Sequence, residues 1–289
     1  MKKTAMLRKA LDEEQLLILP GAYDGISARV IEKAGFNVAF VGGFGTAASL
    51  LGKPDVGLIT MTENVTHARN IANSINIPLL VDGEAGYGGP SAIARTIKEF
   101  EGAGVAGLFI EDQLHPVKCG ALSKFKEIVP MDDMIMRLRA ALAAREDPDF
   151  IVAARTDADI VSLNEQIKRC KAYVAEGADL VMPLTREKEE LKRVINEVKA
   201  PLWIGWQQSA DFTIQDLRDM GMKGLVMFPT EALFAATKVM MDAMAELKNS
   251  GTVKETFAKY GVFDYREYFS FIGLRQYIEF DQKFLVENS

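Results

Sequence analysis

Eight short apolar runs recur along the chain at near-regular spacing, at residues 16–19, 38–41, 78–81, 107–110, 150–154, 179–182, 201–204 and 224–227. They are rich in Val, Ile, Leu and Phe and do not alternate with polar residues, as parallel strands covered on both faces require. Stretches of helical period lie between them, at 26–34, 62–74, 92–101, 132–144, 163–175, 188–197 and 214–220. Four of these stop at a glycine, namely Gly35, Gly104, Gly177 and Gly221, the residue suited to a left-handed helix terminus. Eight strand-then-helix units in 289 residues are what a closed (β/α)8 TIM barrel, an α/β fold, demands. A doubly wound open sheet would produce the same local pattern. The turn after the first run, Pro20-Gly21-Ala22-Tyr23-Asp24, lacks the Gly-x-Gly-x-x-Gly phosphate turn of such sheets, and the barrel is favoured.

No low-complexity linker divides the chain, so a single barrel domain is expected over about residues 1–247. A breaker, Asn249-Ser250-Gly251-Thr252, separates it from a helical extension at 252–289. Within that extension 268–280 reads as one aromatic, amphipathic helix beyond what a barrel needs. Such a helix docks on its own barrel or on a neighbouring subunit, and exchange of C-terminal helices between the subunits of a homo-oligomer is the sharper form of the second. The charge balance, 34 Lys+Arg against 40 Asp+Glu for a net −6, argues against a general nucleic-acid binder. No apolar run approaches the ~18–20 residues needed to span a bilayer, and residues 1–8, charged and short in apolar content, are not expected to act as a signal peptide. Two cysteines, Cys119 and Cys170, rule out a disulfide scaffold and suit a reducing cytoplasm. The two histidines, His67 and His115, leave little for zinc or a histidine triad; His67 reads as structural, and the role of His115 stays open.

In a barrel the active site forms where the strands end. The third run ends in Asp82-Gly83-Glu84-Ala85-Gly86-Tyr87-Gly88-Gly89, the fourth in Glu111-Asp112-Gln113 and the fifth in Arg155-Thr156-Asp157. After the second come Gly42-Gly43-Phe44-Gly45, read as loop, and later Pro54-Asp55. Carboxylates thus converge on one rim with a guanidinium opposite. Oxygens without His or Cys partners favour Mg²⁺ or Mn²⁺, with Asp82 as direct ligand and Asp55, Glu84 and Glu111 gripping its waters. The long loop after the fourth run carries Lys118-Cys119-Gly120 and has the length of a lid. Lys118 beside Cys119 is expected to lower the thiol pKa and prepare it for proton transfer. Cys170 reads as core.

Together these motifs resemble the isocitrate lyase/phosphoenolpyruvate mutase superfamily over nearly the whole chain. The resemblance runs through Pro20-Gly21-Ala22-Tyr23-Asp24, Gly52-Lys53-Pro54-Asp55, Asp82 to Gly88, Ile110 to Gln113, Lys118-Cys119-Gly120 and Ala154 to Ala158. It implies a Mg²⁺-dependent barrel, a dimer or tetramer, acting on C–C or C–P bonds next to an α-keto or α-hydroxy acid. Lys118-Cys119-Gly120 resembles the lid signature of the lyase branch, in which the Cys is the acid/base; the mutases and oxaloacetate decarboxylases lack it. Several positions depart from methylisocitrate lyases: Ala121 stands for His, Phe40 and Gly42 for Tyr and Ser, Glu84 for Asp, and Leu184 for Glu. Gly205 and Gln207, flanking Trp206, replace Asn and Thr, and Phe234 replaces an Arg, while Arg266 matches a family Arg of the tail.

These exchanges remove grips for an outer carboxylate and add apolar surface at Phe40, Trp206 and Phe234, so a smaller alkylated hydroxydiacid is expected. The implied reaction is a Mg²⁺-dependent retro-aldol cleavage of a 2-hydroxy dicarboxylate to an α-keto acid and a carboxylic acid. In it Arg155 and the backbone N–H groups of Gly42, Gly43, Phe44 and Gly120 hold carboxylate and developing charge, and Trp206 and Arg266 join the substrate site. The base is unassigned, because Phe40 stands where the family often has Tyr.

Overall fold

A computed structural model describes residues 1–185, 187–206 and 210–285. Eight strands occur among them: β1 (Leu16–Ala22), β2 (Ala39–Val41), β3 (Leu79–Asp82), β4 (Gly107–Glu111), β5 (Ile151–Thr156), β6 (Leu180–Pro183), β7 (Leu202–Gly205) and β8 (Gly224–Phe228). All pair in parallel with their sequence neighbours, and β1 pairs with β8, so the sheet closes into a barrel. Each strand matches a sequence run to within a few residues. The helices of the first part are α1 (Lys3–Glu13), α2 (Gly25–Lys33), α3 (Gly43–Leu51), α4 (Met61–Ser74), α5 (Pro90–Gly102), α6 (Met131–Ala144), α7 (Leu163–Ala175), α8 (Lys188–Val198) and α9 (Ile214–Asp219). The four expected glycine stops all hold positive φ: Gly35 at 90°, Gly104 at 80°, Gly177 at 100° and Gly221 at 72°.

Two apolar layers hold the barrel. The outer one lies between strands and helices and includes Ile71, Ile97, Phe100, Leu138, Phe150 and Tyr173. The inner one fills the barrel with Leu17, Leu19, Phe40, Leu80, Phe109, Leu180, Trp203 and Leu225. At its centre the edges of Phe40 and Phe109 each meet the Trp203 ring with centroids 5.4 Å apart. Leu7 of α1, fully buried, joins this layer. Arg8 fixes the helix by an ion pair to Asp179 at 2.7 Å and a bond to the Asp149 carbonyl.

One local expectation needs correction, and one helix had no expectation attached to it. Residues 43–51, read as part of a loop, form α3: Gly42 is its N-cap, and the run Gly-Phe-Gly-Thr concealed the helical period. α1 carried no usable signal either, since its low apolar content leaves Leu7 as the side chain it sinks into the barrel.

Contacts divide the chain into a unit of residues 1–232 and a second of 233–289. The second contains most of α10 (Glu231–Ser250), then α11 (Lys254–Tyr260), α12 (Tyr265–Phe271) and α13 (Leu274–Phe284). The single helix expected at 268–280 is therefore two, broken at Ile272-Gly273, where Gly273 adopts φ 86°. No helix among the described residues is long and apolar enough to cross a membrane.

Candidate active site

Asp82 ends β3, and its carboxylate is fixed from two sides. Oδ1 accepts the Glu84 N–H at 2.8 Å, and Oδ2 accepts the Gly43 N–H at 3.2 Å. The first bond folds the chain back on itself and sets Glu84 in the left-handed region at φ 53°; Tyr87 follows at φ 58°. Such backbone costs about 1–3 kcal/mol per residue and persists where surrounding bonds over-determine it. Those bonds are present. The Asn64 amide donates to the Asp82 carbonyl at 2.9 Å and to the Tyr87 hydroxyl at 2.8 Å, and Glu111 N–H donates to the Glu84 carbonyl at 2.9 Å.

Asp82, Glu84 and Glu111 are all buried, and Asp55 is half-buried. Burial and mutual repulsion push their carboxyls up. Asp55 rises to about 6 through burial and the charge of Asp82, and Glu84 to about 9 through burial, Asp82 and Asp55. Burial also raises Asp82 and Glu111, against the pull of Arg155 on each. Arg155 on β5 pairs with Glu111 Oε2 at 3.0 Å and Asp157 Oδ1 at 2.9 Å, and its guanidinium lies 5.5 Å from the Phe109 ring centroid.

The residues suit a hard divalent cation. The donors are carboxylate oxygens whose repulsion such a charge relieves. A Cβ on Gly43 would stand 3.0 Å from Glu84 Oε1 and 3.1 Å from Asp55 Oδ1, so both carboxylates close over Gly43 and leave a side chain there little room. Among the described residues no three His, Cys, Asp or Glu side chains form a direct ligand cage. Mg²⁺ does not require one, since it keeps several waters and takes one or two direct carboxylates.

The loop after β4 is tied at its base by an antiparallel bridge between Gln113 and Ile128, with Val129 N–H donating to the Asp112 carbonyl at 2.8 Å. Gln113 clamps Lys118 from both ends: its Oε1 accepts the Lys118 N–H and its Nε2 donates to the Lys118 carbonyl, each at 2.8 Å. Cys119 N–H then donates to the Asp55 carbonyl at 3.1 Å. The next residue, Gly120, sits so close to Arg155 that a Cβ would lie 2.9 Å from Nη2. The thiol turn and the carboxylate rim therefore share one mouth.

The expected activation of the thiol by Lys118 does not occur. The Lys118 ammonium donates to the carbonyls of Pro116 at 3.1 Å and Val117 at 3.4 Å, while burial pushes the Cys119 thiol up. Asp55 and Asp82 add to that rise; the Ala121 N–H and Arg155 oppose it. Cys119 is thus a protonated thiol at neutral pH, the state of a proton donor.

Gly42 caps α3, and a Cβ there would meet the Phe40 ring at 2.8 Å. The Gly43 N–H, expected to hold substrate, is engaged by Asp82, and Phe44 is half-buried on the first turn of α3. Trp206, beyond β7, stacks on Phe228 with centroids 4.9 Å apart. Leu184 packs on the inner apolar layer and beside Gly120. Arg266 on α12 and Phe234 on α10 belong to the second unit and are exposed. Gln207 lies outside the described residues. His67 on α4 is bonded through Nε2 to the Tyr23 carbonyl at 2.9 Å, and His115 is an exposed loop residue. Asn64 and Lys126 went unnoticed in the sequence, since a helix amide and a loop lysine ordinarily read as solvated.

Residues 7–248 match the family model described as phosphoenolpyruvate phosphomutase. The chain is 35% identical over 272 residues to a 2,3-dimethylmalate lyase of Eubacterium barkeri, covering 91% of this chain and 93% of that protein. It is 37% identical over 257 residues to a probable 2-methylisocitrate lyase of Corynebacterium glutamicum, covering 87% and 83%. The fold superposes on a phosphonopyruvate hydrolase solved with oxalate and Mg²⁺ at a TM-score of 0.90 and 27% identity, covering 99% of this chain and all of that one.

Proposed function

The chain belongs to the phosphoenolpyruvate mutase/isocitrate lyase superfamily and is an enzyme of the carbon–carbon lyase type, and on that footing we propose that it cleaves a small, alkylated 2-hydroxy dicarboxylate. The best candidate is 2,3-dimethylmalate, giving pyruvate and propionate; methylisocitrate is the second. The observation that carries this reading is the place of the Cys119 turn, bonded to the Asp55 carbonyl and packed against Arg155 on the same mouth as the carboxylate rim.

The proposed reaction breaks the C2–C3 bond. Mg²⁺ (or Mn²⁺) at Asp82, with Asp55, Glu84 and Glu111 around its waters, would supply a Lewis acid that lowers the pKa of the substrate 2-hydroxyl. Arg155 takes the C1 carboxylate, with its guanidinium held by Glu111 and Asp157. The Brønsted bases at the mouth are the rim carboxylates, one of which receives the hydroxyl proton. The electron pair of the C2–C3 bond passes to the leaving half as an enediolate. The Cys119 Sγ–H protonates its carbon, and the thiolate is reprotonated from solvent once the loop opens.

Leu184 beside Gly120 and the stacked Trp206 and Phe228 support an alkyl rather than a carboxylate substituent. They offer mostly apolar surface and no positive charge, and burying an extra carboxylate against them is costly. The exposed apolar side chains of α10 to α13 support a homo-oligomer in which a second copy covers them. The test is a pyruvate-release screen over malate, 2-methylmalate, 2,3-dimethylmalate, methylisocitrate and oxaloacetate, with and without Mg²⁺, beside a phosphate assay on phosphonopyruvate. Turnover of 2,3-dimethylmalate alone or foremost is expected. Release of phosphate, or decarboxylation of oxaloacetate as the main activity, would overturn the reading.

A further inference from the structure

Lys126 lies in the same loop as Cys119, seven positions on, and its ammonium is completely shielded from solvent. A buried ammonium survives only if its three donors are used and its charge is matched. Here it donates to Asp157 Oδ1 at 2.7 Å, to Asp159 Oδ1 at 3.1 Å and to the Gly120 carbonyl at 3.3 Å. Each partner has a separate consequence. Gly120 belongs to the thiol turn, and its carbonyl is drawn inward. Asp159 lies on the short 3-10 turn after β5 (Ala158–Ile160). The Asp157 oxygen that Lys126 uses is the one that also accepts from Arg155 Nη2 at 2.9 Å and from Gln113 Nε2 at 3.2 Å.

One carboxylate oxygen therefore joins the loop cation, the substrate-binding guanidinium and the amide that clamps Lys118. Asp157 Oδ2 is buried without a partner, so its second oxygen offers no substitute contact. Arg155 and Lys126 hold the Asp157 carboxyl below the ordinary range despite the burial that pushes it up.

From this geometry we infer that Lys126 is a positioning residue: it latches the 118–122 turn over the mouth and, through Asp157 Oδ1, couples loop closure to the orientation of Arg155. When the loop lifts, the ammonium must leave Asp157. The carboxylate then carries a charge balanced by Arg155 alone, and the guanidinium is drawn towards it and away from the substrate carboxylate. Closure reverses this, so Arg155 is aimed only when Cys119 is in place.

The test compares Lys126→Met, Lys126→Arg and Asp159→Asn with the parent enzyme. Hydrogen exchange read at the amides of Cys119 and Leu122 should speed up about tenfold or more in Lys126→Met, while strand amides stay protected. The kinetic part rests on the lyase reading above and uses 2,3-dimethylmalate: kcat should fall about 10–10²-fold with a smaller change in KM, and Lys126→Arg should recover part of it. Asp159→Asn leaves Arg155 untouched and should loosen the same two amides to a lesser degree, so it decides the matter if Lys126→Met fails to fold. Faster loop exchange without any turnover by the parent enzyme would keep the latch and sink the lyase. Turnover with unchanged exchange in both Lys126→Met and Asp159→Asn, or equal losses in kcat and thermal stability that Lys126→Arg does not restore, would overturn the latch.

Discussion

Gly43 shows how little room the proposed cation site allows. Its missing side chain leaves the space over which Glu84 and Asp55 approach, and its N–H orients Asp82. Gly43→Ala should push both carboxylates back while leaving the helix that follows intact. Mg²⁺ affinity, measured by calorimetry or by Mn²⁺ relaxation, should fall on the order of 10–100-fold, the usual consequence of disturbing what orients a ligand. Unchanged affinity would remove Asp55 and Glu84 from the site. Which of these residues could be read from the chain follows from their chemistry. Asp82 and Glu111 end strands, and Arg155 and Glu84 lie within two residues of a strand end, so all four can be counted off at a barrel mouth. The protonation state of Cys119 could not be read, because adjacency to Lys118 says nothing of direction: the lysine turns back to the carbonyls of Pro116 and Val117.

Among the elements, α4 braces the site directly and α1 closes the barrel's inner layer. α4 carries Asn64, which braces the Asp82 turn, and one helical turn later His67, bonded to the Tyr23 carbonyl. Burial lowers the His67 pKa from 6.5, against the raising effects of the Tyr23 bond and Asp24. The native state thus binds that proton less readily than the unfolded chain does. Its contribution to stability is complete above about 6.5, where both states are neutral, and is lost as pH falls towards the depressed native value. Urea titrations of the parent and of His67→Gln from pH 8 to 5 should diverge: as pH falls the parent loses stability relative to the variant, while Asp55 and Glu84, whose carboxyls are pushed up, act in both with the opposite sign. Curves that stay parallel would show the ring to be exposed in solution. At the other end of the barrel Leu7→Ala should cost about 2–5 kcal/mol, because it opens a cavity under the inner layer. A loss under 1 kcal/mol in denaturant titration would mean that α1 is not seated there. Strands were legible because buried parallel runs need continuous apolar residues. α3 was not, because its glycines serve the site rather than the helix.

For the molecule as a whole, exposed apolar side chains are densest in the C-terminal unit. α12 and α13 bury none of their residues, and Tyr265, Tyr277, Phe280 and Phe284 are mostly exposed. Helices of seven and eleven residues do not hold in water without packing. A second copy is the proposed cover, so light scattering should report a dimer or tetramer, and the double variant Phe280→Glu/Phe284→Glu should dissociate it. A monomeric parent would refute this assembly. The aromatic amphipathic pattern of the tail was visible in the chain, whereas its break at Gly273 was not, since a lone glycine within a periodic stretch is often tolerated.

Everything proposed for the chemistry meets in Cys119 as proton donor to a carbanion formed beside Asp82. The direct measurement is steady-state pyruvate release from 2,3-dimethylmalate at saturating Mg²⁺ by the parent enzyme and by Cys119→Ser. The account predicts a fall in kcat of about 10²–10⁴-fold in the variant, with Mg²⁺ binding retained. Release of pyruvate by Cys119→Ser at the parental rate would contradict it.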